Sequence, residues 1–178
     1  MSGRNVILVG FMGAGKSVCG RLLARRLDRC FVETDDMIVA SEGCSIPEIF
    51  KRFGETRFRQ LEAEAIEALA LKADDVIATG GGLPCRDGVM ETLRGLGLVI
   101  WLRGDLQEFL ARARRHGARP MLDGRSDEDL IALLKAREPY YGKAHVTIET
   151  SGRSVDQIVG ELVAAVRAQH ADVSPGGL

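Results

Sequence analysis

Residues 10–17 read Gly10-Phe11-Met12-Gly13-Ala14-Gly15-Lys16-Ser17, the pattern G-x-x-x-x-G-K-[ST], and no other stretch constrains the fold as tightly. The apolar run Asn5-Val6-Ile7-Leu8-Val9 precedes it and predicts a buried strand. Val18 to Leu27 follows it and predicts a helix, with Val18, Leu22, Leu23 and Leu27 on the inner face and arginines between them. Strand, glycine turn and helix in that order are the context in which this motif binds phosphate. Glycine lets the backbone close round a phosphate chain without Cβ clashes. Successive N–H groups and the helix N-terminus then point at the anion. The motif and the helix N-terminus that follows it assign Gly13, Ala14, Gly15, Lys16, Ser17 and Val18 to a nucleotide. Lys16 reaches the β- and γ-phosphates and Ser17 ligates Mg²⁺.

A chain of 178 residues suits one domain with a sizeable core. Its net charge of −1 gives no general attraction to nucleic acid or a membrane. No apolar run approaches the roughly 18 residues that cross a bilayer, and Met1-Ser2-Gly3-Arg4 runs into the first strand without a leader-like segment. Cys19, Cys30, Cys44 and Cys85 are scattered without C-x-x-C spacing, and His116, His145 and His170 form no ligand pattern. Reduced, structural cysteines and a cytoplasmic location are therefore expected.

Cys30-Phe31-Val32 predicts a second short strand ending at Glu33-Thr34-Asp35-Asp36. Acidic residues there are placed to meet a substrate or Mg²⁺ at the strand ends. They would equally serve as caps for a helix starting near Met37. Ser45-Ile46-Pro47-Glu48 is a capping box with proline at the helix start. That helix should break at Gly54 and resume over Glu55 to Leu71, with Arg59 on its first turns. Asp75-Val76-Ile77-Ala78 predicts a third strand and ends in Thr79-Gly80-Gly81-Gly82. Three successive glycines suit close packing of another group against the backbone, or a purely structural tight turn.

Gly97 to Leu102 predicts a fourth strand, and Asp105 a cap for a helix over Leu106 to about Arg115. The helix end carries Arg112, Arg114, Arg115, His116 and Arg119. Nucleic-acid binding, a solvated helix end and an arginine lid over the nucleotide are the three readings. The lid is preferred because no aromatics interleave with the arginines and the phosphate loop is present. Ser126-Asp127-Glu128-Asp129 opens a helix to about Arg137, with Pro139 ending or kinking it. Val146-Thr147-Ile148 predicts a fifth strand, and Ser154 caps a last helix. Residues 171–178 are expected to form a flexible tail. Alternating strands and helices predict an α/β fold, with a five-stranded parallel sheet covered on both faces.

In combination these residues resemble the shikimate kinases, small P-loop enzymes similar to nucleoside-monophosphate kinases. The resemblance runs from Val6 to about Ser154. It rests on the phosphate loop, Glu33-Thr34-Asp35, Ile46-Pro47-Glu48-Ile49-Phe50, Gly54-Glu55 and Phe58-Arg59. Thr79-Gly80-Gly81-Gly82, Arg119-Pro120-Met121-Leu122 and Arg137-Glu138-Pro139-Tyr140-Tyr141 complete it in the expected order. It implies a three-layer α/β/α P-loop kinase, with a substrate-binding helical lobe over about 35–71 and a mobile lid over about 112–126.

The resemblance also implies the roles. Asp35 would meet the shikimate hydroxyls, Arg59 and Arg137 the carboxylate, and Gly80, Gly81 and Gly82 the ring. Arg119 would reach the phosphates from the lid, with Arg112 and Arg153 near the adenine. Glu33 stands where the family often has aspartate, and would support Mg²⁺ through water. Met121 replaces a more usual leucine, a mild change. The implied reaction is in-line transfer of the ATP γ-phosphoryl to the shikimate 3-hydroxyl, with Lys16, Asp35 and Arg119 catalytic. An ordinary aspartate, with a pKa of about 3.9, is a weak base for an alcohol. Asp35 is therefore expected to orient the hydroxyl more than to deprotonate it early. A related small-molecule kinase, such as a gluconate kinase, and a non-catalytic nucleotide-binding regulator are the alternatives. A monomer is expected, since no spare apolar helix face is evident.

Overall fold

The computed structural model describes residues 4–115 and 126–172. Strands β1 (Asn5–Val9), β2 (Phe31–Glu33), β3 (Val76–Ala78), β4 (Gly97–Arg103) and β5 (Val146–Glu149) form one parallel sheet in the order β2-β3-β1-β4-β5. The helices are α1 (Lys16–Leu27), α2 (Thr34–Glu42), α3 (Ile46–Leu69), α4 (Val89–Leu96), α5 (Leu106–Arg115), α6 (Asp127–Tyr141) and α7 (Val155–Asp172). The expected α/β class and all five expected strands are present.

β1 is the centre of the sheet because it is apolar on both sides. Val6, Ile7, Leu8 and Val9 are each at most 1% exposed, as expected for a strand covered on both faces. Its register pairs Leu8 with Ala78 on one side and with Ile100 on the other. The connection from β1 leaves towards β2, while those from β3 and β4 run the other way. A crevice therefore opens above the C-terminal end of β1, where residues 10–15 lie. α7 packs against α1, closing that side of the sheet.

A second, smaller apolar cluster lies outside the main core. Ile38, Ile49, Phe58, Leu61 and Ala65 join α2 to α3. The Ser45–Glu48 capping box fixes where α3 begins. Gly54 interrupts it with φ 77° and ψ 178°, the break its sequence predicts and a conformation costly for any residue with a Cβ.

Several expectations need correction. α2 starts at Thr34 rather than near Met37, because Glu33 is extended and the acidic pair Asp35 and Asp36 fits the first turn of a helix. Val18 is 47% exposed, since Cys19, Leu23 and Ala24 take the inner face of α1. Leu71 lies beyond the end of α3 and is 90% exposed. α6 continues through Pro139 to Tyr141, where burial of the tyrosine outweighs the lost backbone donor. α7 reaches Asp172, into the stretch expected to be tail. α4, too short to show clear periodicity, is a helix that the sequence pattern does not predict; it buries Met90 and Leu93.

Candidate active site

The phosphate loop takes the shape its glycines allow. Gly10, Gly13 and Gly15 have φ of 142°, 77° and 92°, values that side chains resist. A Cβ on Gly13 would also run into the carbonyl oxygen of Phe109, so α5 sits hard against the loop. Gly15 is the N-cap of α1 and has no side-chain cap, which leaves the helix N-terminus to backbone N–H groups. The Lys16 ammonium donates to the carbonyl oxygens of Gly10 at 2.8 Å and Phe11 at 2.9 Å, arching over the loop.

Glu33 serves α1 rather than capping α2. It makes no cap bond; its carboxylate accepts from the Ser17 hydroxyl and, at 2.8 Å, from Arg21. The pairing of Glu33 with Ala78 brings the start of α2 beside the end of β3. Thr34, wholly buried, accepts the Gly80 N–H on its Oγ1 at 2.9 Å. Asp35 follows and lies against the same glycine: a Cβ on Gly80 would stand 2.5 Å from Asp35 Oδ1. The adjacent turn lies under Arg137, whose Nη1 and Nη2 would be 3.5 Å and 3.3 Å from Cβ atoms on Gly81 and Gly82. The same guanidinium lies 5.7 Å from the centre of the Phe11 ring. One short turn thus gathers Asp35, Gly80, Gly81, Gly82 and Arg137 next to the phosphate loop.

Arg59 is held on α3 by Glu55 at 2.7 Å and Glu62 at 2.9 Å. Burial alone would lower its pKa, but the bonds to Glu62 and Glu55 outweigh it and raise the pKa. Glu62 is 4% exposed. Burial raises its carboxyl above the ordinary range against the opposing pull of Arg59 and Arg86, while nearby Asp35 adds to the rise. Arg86 donates to the Arg59 carbonyl oxygen at 3.0 Å and approaches Glu62 at 3.6 Å. The cluster therefore links α3 to the segment after the glycine turn.

Arg112 pairs with Glu108 at 2.7 Å and lies 6.0 Å from the Phe109 ring centre. It is close enough to Cys19 to oppose the burial that pushes that thiol to about 11. Glu108 also accepts the Gly152 N–H at 3.2 Å, which ties the Arg153 loop to α5. Arg153 donates to the Glu149 carbonyl oxygen at 2.8 Å and pairs with Glu161. Arg119 lies outside the described residues, as do His116 and Met121. Among the described residues no three metal-ligating side chains cluster. Thr34, Glu62, Arg86 and the ring of Phe11 are site neighbours that periodicity and motif spacing did not reveal; each owes its place to a contact distant in sequence.

The shikimate kinase family model matches residues 12–167. The shikimate kinase of Geobacter sulfurreducens is 46% identical over 93% of this chain and 92% of its own length. A solved structure of the shikimate kinase of Acinetobacter baumannii in complex with shikimate superposes with a TM-score of 0.87 at 35% identity, covering 94% of each chain. A gluconokinase of Sinorhizobium meliloti matches with a TM-score of 0.64 at 17% identity, covering 96% of this chain and 95% of that one. That likeness extends to the fold alone.

Proposed function

The chain belongs to the shikimate kinase family, and on that footing we propose how its own residues transfer the ATP γ-phosphoryl group to the 3-hydroxyl of shikimate, giving shikimate 3-phosphate and ADP. The observation that carries the reading is the gathering of Asp35, residues 80–82 and Arg137 on one turn beside the phosphate loop.

The acceptor is a ring bearing a carboxylate and three hydroxyls. A carboxylate suits planar guanidinium forks, which Arg59 and Arg137 supply. A hydroxyl suits an ionised acceptor, which Asp35 supplies. Gly80, Gly81 and Gly82 let the ring approach the backbone. Asp35 holds the 3-hydroxyl in line with the γ-phosphorus and takes its proton as transfer completes. In a loose transition state early deprotonation is not required. Lys16 and Arg119 stabilise charge on the transferring group. Residues 13–18 hold the phosphates, and Arg112 and Arg153 border the adenine. Residues about 35–71 form the acceptor lobe, supported by their separate apolar cluster, and residues about 112–126 the lid.

The donor set fits Mg²⁺. The Ser17 hydroxyl meets the Glu33 carboxylate directly, a pair of hard oxygen groups suited to an ion that keeps most of its waters. Ser17 would ligate it and Glu33 would hold one of its waters. When bound, the ion neutralises charge on the β- and γ-phosphates.

We also place the protein in the cytoplasm as a monomer. All four cysteines are free thiols, as a reducing compartment favours, and among the described residues no helix is long and apolar enough to cross a membrane. The test is ADP release from ATP and Mg²⁺ with shikimate, gluconate or no acceptor. Release that depends on shikimate is expected. Release with gluconate alone would overturn the acceptor, and no release with either would leave a nucleotide-binding regulator.

A further inference from the structure

Arg137 and Tyr141 stand four residues apart on α6, one above the other on the same face. The chemistry above uses only the first. Tyr141 is wholly buried, its ring tilted against Trp101 of β4 with centroids 5.9 Å apart. A buried phenol needs a hydrogen-bond partner. It donates its hydroxyl to the Gly81 carbonyl oxygen at 2.6 Å. The Cys85 thiol, 3.8 Å from that same oxygen, is a weaker second donor. Burial raises the pKa of both groups, so each keeps the proton it donates.

The consequence lies in the geometry of one peptide group. The Gly81 carbonyl and the Gly82 N–H belong to the same planar, trans unit and point in opposite directions. A carbonyl drawn down to Tyr141 in the core sends the Gly82 N–H the other way, to the side away from the phenol. Among the described residues neither the Gly81 nor the Gly82 N–H donates to a protein acceptor. Glycine resists such a fixed orientation less than any other residue but also holds it least well, since it has the most backbone freedom to lose. The turn needs an external anchor, and the helix that carries Arg137 supplies it.

We propose that Tyr141 is a positioning residue of the acceptor site: its hydroxyl orients the Gly81–Gly82 peptide so that its N–H is presented to an oxygen of the acceptor, and it holds that turn in register with Arg137. The inference rests on residues 80–82 and Arg137 forming the acceptor site.

The test is steady-state kinetics of the full chain carrying Tyr141→Phe, with shikimate and ATP varied separately and thermal melting alongside. The ring stays and only the hydroxyl goes. KM for shikimate should rise about tenfold, the effect of one lost hydrogen bond to a buried carbonyl. KM for ATP should stay within about twofold, since no group of the phosphate loop bonds to the phenol. Should Tyr141→Phe fail to fold, Cys85→Ala removes the weaker donor and should raise KM for shikimate about two- to threefold. Equal rises in both KM values, or a lowered melting temperature with an unchanged KM for shikimate, would overturn the inference. A wild-type chain without shikimate-dependent ADP release would overturn the acceptor assignment and this inference with it; wild-type turnover with no effect of either variant overturns this inference alone.

Discussion

Adding one methyl group at Gly80 separates placement of Asp35, the proposed catalytic aspartate, from everything else the glycine turn does. Gly80 is not among the glycines with positive φ, so alanine fits the backbone there. The added Cβ would lie 2.5 Å from Asp35 Oδ1, which is 0.9 Å inside the 3.4 Å at which ordinary contact begins. The obstructing atom is the tip of a side chain rather than backbone. The carboxylate moves and the fold survives. A displacement of about 1 Å at a reacting group costs on the order of 100-fold in rate, or roughly 2.7 kcal/mol. Gly80→Ala should therefore lower kcat about 100-fold and leave ATP affinity and melting temperature close to wild type. The neighbouring glycines provide the scale. A Cβ on Gly82 would meet Arg137 Nη2 at 3.3 Å and one on Gly81 would meet Nη1 at 3.5 Å, so Gly82→Ala should be mild and Gly81→Ala milder in this respect. The assay is coupled ADP release with saturating ATP and shikimate, together with equilibrium nucleotide binding and a melting curve. Wild-type kcat in a folded Gly80→Ala protein would refute the proposed dependence of turnover on the position of the Asp35 carboxylate.

Asp35→Asn should lower kcat by at least about 100-fold while ATP affinity changes little; retained turnover would remove Asp35 from the reaction. Glu33→Gln should raise the Mg²⁺ concentration needed for half-maximal rate several-fold, because the carboxylate beside Ser17 is lost; an unchanged Mg²⁺ titration would detach Glu33 from the ion. His145 is an exposed residue, yet partial desolvation of its ring, then Arg94 and Arg4, hold it below its ordinary pKa of 6.5, and its Nδ1 accepts the Val99 N–H at 3.0 Å. The folded state thus prefers the neutral ring. That stability is fully present above about pH 6.5 and is lost as pH falls through the lowered value. His145→Gln should flatten the dependence of the urea midpoint on pH over that range, and an identical slope in both proteins would dismiss the effect.

The sequence alone determined the phosphate loop, the five strands and most helix starts, because each depends on residues close together in the chain. G-x-x-x-x-G-K-S after an apolar strand carries its own geometry, and the Ser45–Glu48 and Ser126–Asp129 capping boxes are complete within four residues. Candidate site residues such as Asp35, Arg59 and Arg137 rest on the family resemblance of separated motifs, since no local pattern brings them together. α4 leaves no clear signal in the sequence because eight residues give too few turns to establish a period. Pro139 pointed to a helix end because its local cost is visible in sequence, whereas the buried contacts of Tyr141 that outweigh it lie 40 residues away at Trp101 and 60 away at Gly81.

What stands against the glycine turn follows from packing between distant parts of the chain. Parallel pairing of β2 with β3 sets Thr34 and Asp35 beside Gly80, and the return of α6 sets Arg137 and Tyr141 beside Gly81 and Gly82. The same holds for Glu33, which could have capped α2 on sequence grounds but bonds Ser17 and Arg21 instead. Both outcomes satisfy local chemistry equally. The choice between them depends on sheet order, and sheet order is a balance of burial over the whole chain that no single stretch contains.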